Sequence, residues 1–136
     1  MQGDINNKGD GEMIKKLDEV MIYVYNYDKA IEFWTKNLNF VVVADDEEMG
    51  MRVVKLLPED DAQTAIVLQD KAKVDEMDMG VSTTTPSLIF STTQFDHLYD
   101  RLKSNQNAVG DIMDLPMGRV FNFADAENNY FAVKEI

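Results

Sequence analysis

The residues that could do chemistry in this chain are few, and they stand at telling positions. Glu19 sits in the strand-like run Leu17-Asp18-Glu19-Val20-Met21-Ile22-Tyr23-Val24, next to Asp18 and ahead of five residues without charge. A carboxylate held there needs a partner, solvent or a proton. It can serve as a general base or anchor a cationic or hydroxylated ligand. It can equally pair across a sheet with Arg52, Arg119 or Lys134. Arg52 and Arg119 carry guanidinium forks that can clamp a carboxylate or phosphate, or pair with surface acids. Tyr23 and Tyr130 can stack on a planar ligand or simply pack. Gln69 and Ser87 add hydrogen-bonding groups, and the single histidine, His97, has no evident nucleophile near it.

Other chemistries are excluded by what is missing. The chain has no cysteine, which removes disulfides, thiolate metal sites and a cysteine nucleophile. It has no glycine-rich phosphate loop and no Gly-x-Ser-x-Gly elbow. The runs Asp45-Asp46-Glu47-Glu48 and Glu59-Asp60-Asp61 read as solvated turns, since neither has the alternating donors and bend glycine of a calcium loop. A formal net charge of −12 argues against a nucleic-acid partner, which needs a cationic face. No run is long and apolar enough for a membrane span, and no signal peptide is evident, so the expected location is the cytoplasm.

The elements that must position these residues follow from periodicity. Residues 1–12 are polar and aperiodic and read as a mobile leader or a cloning remnant; one domain, 13–136, follows. Leu17–Val24 reads as a strand, and Asn26-Tyr27-Asp28 as a cap for a helix over Lys29–Asn37 with the stripe Ala30, Ile31, Phe33, Trp34 and Leu38. Strands are expected at Asn39–Val43, Met51–Leu57 and Thr64–Gln69. Lys71–Thr85 reads as a linker with one helical turn near Val74–Met77. Beyond it come a strand at Ser87–Ser91, a helix at Phe95–Lys103, and strands at Val109–Asp114, Arg119–Phe123 and Tyr130–Glu135.

The second half repeats the first. At an offset of 68 residues Glu19 falls on Ser87, Asp28 on Asp96, Asn37 on Asn105 and Asn39 on Asn107. At 67, Arg52-Val53 falls on Arg119-Val120. The chain therefore reads as two βαβββ modules, about 14–70 and 86–136, in an α+β fold. The expected arrangement is a curved mixed sheet around a cup with helices on its outer face. Strand alternation places Met21, Tyr23, Ala65, Val67, Gln69, Ser87, Ile89, Ser91, Tyr130, Ala132 and Lys134 on the cup side with Glu19. The opposite set, Val20, Ile22, Val24, Ile66, Leu68, Leu88, Phe90, Phe131 and Val133, is wholly apolar, as a helix-packed face must be.

Three phrases in this order resemble the vicinal oxygen chelate superfamily, which includes glyoxalase I, bleomycin-resistance proteins and extradiol dioxygenases. They are the strand Leu17–Val24, the capped helix Asp28-Lys29-Ala30-Ile31-Glu32-Phe33-Trp34, and the turn Phe123-Ala124-Asp125-Ala126-Glu127-Asn128-Asn129. The turn is similar to the family's Phe-x-Asp-Pro-Asp-Gly-Asn but lacks its Pro and Gly. The resemblance implies a metal held by up to four inward-pointing ligands, usually His and Glu. Those positions fall on Glu19, Val67, Ser87 and Ala132. Only Glu19 is a donor of normal strength, so no metal and no other cofactor is expected. The resemblance also implies a homodimer. The expected function is metal-free binding or sequestration of a small organic ligand in the cup. Glu19, the candidate catalytic residue, marks the alternative: an enzyme of the same fold, a lyase, isomerase or dioxygenase-like protein, working by acid–base chemistry or a residual metal. The expected ligand contacts are Tyr23, Arg52, Gln69, Ser87, Arg119 and Tyr130.

Overall fold

The computed structural model describes residues 11–136 of the chain; most of the leader expected over residues 1–12 lies outside the described residues. The first module runs β1 (Glu19–Val24), α1 (Tyr27–Leu38), β2 (Val41–Glu48), β3 (Met51–Leu57) and β4 (Ala65–Asp70). A short helix, α2 (Lys71–Met77), follows directly. The second module runs β5 (Ile89–Thr92), α3 (Phe95–Ser104), β6 (Met113–Leu115), β7 (Gly118–Ala124) and β8 (Tyr130–Glu135). Each module forms one four-stranded sheet, ordered β1-β4-β3-β2 and β5-β8-β7-β6. In both, the first strand pairs parallel to the last and the remaining pairs are antiparallel.

Local chemistry accounts for the element ends. Asn26 caps α1, its side-chain oxygen accepting from Lys29 N at 3.0 Å, and Asn39 closes the helix in the left-handed region at φ 59°. Asp70 caps α2 in the same way, accepting from Lys73 N at 3.1 Å, which makes the expected single turn a helix of 7 residues. The acidic run Asp45–Glu48, read as a turn, instead continues β2. Its backbone pairs with β3 out to Glu48↔Met51, and on an edge strand the carboxylates stay in water. The expected strand over Val109–Asp114 shortens to Met113–Leu115, with a single bridge from Val109 to Phe123.

The strands form two four-stranded mixed sheets, one from each module. One cluster of buried residues serves both modules: Ile22, Val24, Ile66 and Leu68 from the first sheet, Phe121, Phe123, Phe131 and Val133 from the second, and Phe33, Trp34, Phe95 and Leu102 from the helices. The helices thus pack into a core that both sheets share. Trp34, fully buried, sits edge-on to Phe40, Phe90 and Phe131 with ring centroids 5.0–5.9 Å away, while Phe33 stacks on Phe123 at 6.0 Å. The modules bury far more aromatic surface this way than either helix could cover alone.

Polar contacts follow the repeat. The buried Asn37 side-chain oxygen accepts from the side chains of Asn105, its counterpart, at 2.8 Å and of Asn107 at 3.0 Å. The β7–β8 turn closes one seam: the Glu127 carboxylate accepts from Tyr25 N and Asn26 N at 2.7–3.0 Å, just ahead of α1.

Candidate functional site

Both helix-packed faces contribute to one shared core, and the two remaining sheet faces stand outside it. The residues sorted to the cup side by alternation lie on these free faces. They fall on two separate sheets, and each set is described in turn as a candidate half-site.

The first half-site is built by β1, β4 and β3. Its floor is Ala65 and Val67, short side chains that are almost fully buried. Glu19 stands at one end. Its carboxylate meets the Lys55 ammonium at 3.2 Å, both side chains about one-third exposed. The register explains the meeting: Glu19 lies opposite Ala65 and Lys55 opposite Val67, so all four project from one face. At the other end Tyr23 packs with Met51 and Val74, Met21 against them, which shows α2 folding over this end of the face. Gln69, half-buried, lies opposite Tyr23 in the β1–β4 register. The result is an apolar floor with an ion pair at one end and an aromatic ring beside an amide at the other.

The second half-site is open. Tyr130 is 62% exposed and Ile89 59%, with Ser87 and Ser91 also exposed and Ala132 and Lys134 half-buried. Ser87 precedes β5, which begins two residues later than expected. Within one chain, then, Glu19, Tyr23 and Gln69 share a face; Ser87 and Tyr130 belong to the other.

Arg52 and Arg119 belong to neither. Both point to the helix-packed side and both are engaged. Arg52 forks onto Asp45 at 2.8–2.9 Å, approaches Asp28 at 3.7 Å and lies over the Tyr27 ring. Arg119 forks onto Glu135 and Asp96 at 2.9–3.1 Å and lies over the Phe95 ring. Each arginine thus ties its sheet to the first turn of its own helix, where Tyr27-Asp28 and Phe95-Asp96 are repeat equivalents. The two arginines expected to contact a ligand are engaged in these ion pairs: alternation puts them beside Val54 and Phe121, on the core side of β3 and β7. Hydrogen bonds from the guanidinium groups hold the Asp45, Asp96 and Glu135 carboxyls below their usual range. Burial, then the nearby Asp70 carboxylate, pushes the Tyr27 hydroxyl up to about 12. His97 is exposed on α3 beside Arg101, 3.2 Å from its guanidinium.

Sequence reasoning missed Lys55. A signal was present, since Val54 and Leu56 are apolar and alternation sends Lys55 to the face opposite theirs. What hid it was the pairing of β3 with β4, which sequence alone does not register.

A divalent metal does not fit the positions the resemblance assigns to it. Val67 and Ala132 offer no donor, Glu19 is engaged by a cation, and Ser87 belongs to the other half-site. Among the described residues no three His, Asp or Glu side chains converge as a metal would require.

A family model described as the Glyoxalase/Bleomycin resistance protein/Dioxygenase superfamily matches residues 16–133. An uncharacterized protein of Bacillus subtilis (strain 168), YetH, is 29% identical over 126 residues, covering 90% of this chain and all of that protein. Among solved structures, a member of the same superfamily from Sphaerobacter thermophilus DSM 20745 superposes with a TM-score of 0.77 at 25% identity, over 92% of this chain and 100% of that one. TnmS3, an antibiotic binding protein from Streptomyces sp. CB03234, superposes with a TM-score of 0.76 at 23% identity, over 91% of this chain and 98% of that one.

Proposed function

Since the chain belongs to the glyoxalase/bleomycin resistance protein/dioxygenase superfamily, we propose that it binds a small organic molecule without a metal, in a cup completed by a second copy of itself. The observation that carries this reading is the separation of the half-sites. One free face presents an apolar floor with Glu19, Lys55, Tyr23 and Gln69 around it; the other presents Tyr130, Ile89, Ser87 and Ser91 to solvent. Neither encloses a ligand. Two copies related by a two-fold axis would set the first face of each against the second face of the other, making two equivalent cups. The exposed apolar side chains Met113, Leu115 and Met117, at 40–59%, extend the surface such a dimer would cover.

In that cup Tyr23 and Tyr130 would stack on a planar ligand, Gln69 and Ser87 would read its polar edge, and the Glu19–Lys55 pair would orient a hydroxyl or amine. The likeness to an antibiotic-binding protein supports binding over turnover. The enzyme reading keeps one specific foothold, the carboxylate of Glu19 at the cup's end.

Native mass spectrometry of protein purified without chelator or affinity nickel tests the assembly and the metal together. The expected species is a homodimer with no divalent ion; a stoichiometric metal, or a monomer at every concentration, overturns the reading. A panel of planar hydroxylated aromatics, followed by calorimetry, then tests binding. Glu19→Gln with affinity kept and turnover of a bound compound lost would move the assignment to the enzyme.

A further inference from the structure

The internal repeat also marks a place where the two modules differ, at a seam whose lining reaches Ile89 and Ser91 at the margin of the second free sheet face. At an offset of 68 residues Glu127 corresponds to Glu59, and Tyr25-Asn26 to Thr93-Gln94. In one seam Glu127 reaches across and its carboxylate accepts the two backbone N–H groups ahead of α1. In the other seam Glu59 makes no such contact. Gln94 N is served instead by the Thr92 hydroxyl at 2.9 Å. The seam is left as a cleft of about 740 Å³, bounded by the β3–β4 turn, the end of α1, and the β5–α3 connection.

The lining of this cleft has a definite chemistry. Half-buried Phe90 and Leu98 face it, with the buried Phe40, Phe123 and Val133 behind them, and Glu59 is the only charged side chain among the described residues that line it. Glu59 is exposed and has no salt-bridge partner among the described residues. No lysine or arginine reaches in to neutralise it.

We propose that this inter-module cleft is a second ligand site, specific for an apolar aromatic body carrying one ammonium group, with the ammonium on Glu59. The apolar side chains of Phe90 and Leu98 favour the apolar body. The carboxylate supplies a charge-assisted hydrogen bond to the ammonium. A neutral ligand would leave Glu59 without a partner, and an anion would meet it as a like charge. The position is spare because Thr92 has taken the donor that Glu59 would otherwise bond.

Three probes of one shape and different charge test this on the full chain: 1-naphthylmethylammonium, 1-naphthalenemethanol and 1-naphthoate, by calorimetry with amide chemical-shift mapping. The ammonium probe should bind at least about tenfold more tightly than the alcohol, naphthoate should not bind, and the shifts should centre on Glu59, Ala62 and residues 92–94. Glu59→Gln should bring the ammonium probe to the affinity of the alcohol. It removes only one of 25 acidic side chains, so general attraction to an acidic protein would hardly change. Ala62→Trp, at a lining position on the β3–β4 turn, should fill the cleft and abolish binding of all three probes. Equal affinity for the alcohol, an unchanged Glu59→Gln variant, or shifts centred on Glu19, Tyr23 and Gln69 would overturn the proposal. The last outcome would place the probe in the cup and leave the proposed function standing, so failures of the two readings are distinguishable.

Discussion

At the scale of the residue, the same side chain type does opposite work depending on which way a strand turns it. Glu19 and Lys55 face away from the helices and remain partly exposed, available to a ligand. Arg52 and Arg119 face the helices and are spent on carboxylates of their own module. This predicts a pH dependence. Arg119 lowers the folded-state affinity of Asp96 and Glu135 for protons, so the cluster stabilises the fold above their ordinary values of 3.8 and 4.5 and loses that effect as pH falls through the lower folded values. Thermal melts of Arg119→Met and the parent should therefore differ at neutral pH and converge below about pH 4. The gap should narrow in high salt, since Arg119 is 31% exposed. Tyr27 has the opposite sign. Its raised value means that the protonated hydroxyl, which donates to the Arg52 carbonyl, contributes below pH 10, with the contribution lost as pH rises toward about 12. Ultraviolet titration should show one late tyrosine phase that disappears in Tyr27→Phe.

At the scale of the element, helix ends carry the coupling between modules. Residues Tyr25 and Asn26 lead into α1, and their N–H groups are satisfied from the other module by Glu127. Glu127→Ala should cost about 1–3 kcal/mol by denaturant titration, because charge-assisted hydrogen bonds are lost at a chain entry. Hydrogen exchange should rise at residues 25–29 while the strands stay protected. Protection unchanged at the start of α1 would mean that solvent serves those groups equally well. Much of this level was legible beforehand: Asn26 as a cap, the α1 stripe and the limits of β3 and β8 all follow from local pattern. The extension of β2 through four acidic residues was not, because charge composition says turn while pairing with β3 says strand.

At the scale of the whole molecule, one aromatic core holds both sheets, so the fold should come apart as a unit. Trp34 touches Phe40 from its own module and Phe90 and Phe131 from the other. Trp34→Ala should cost about 3–5 kcal/mol and preserve a single unfolding transition. Two separate transitions would show that the modules are independent domains. Assembly is tested on the open face: Ile89→Lys places a charge where the proposed dimer would bury an apolar side chain. It should shift the species from dimer to monomer in native mass spectrometry and lower the melting temperature in a concentration-dependent way.

The amino-acid sequence by itself determined the two modules, their order of elements and the sorting of each strand into an apolar and a mixed face, since these depend only on side-chain period and a repeat. It also located Glu19, Tyr23 and Gln69 on one face, because alternation is a local rule. Only the tertiary structure decided that the helices and both sheets share one core, that the strands divide into two sheets, that Lys55 is Glu19's partner, and that the two arginines pair with carboxylates of their own modules. Those outcomes depend on which apolar surfaces meet across the chain. Burial is non-directional, so a sequence states how much surface must be hidden without stating against what.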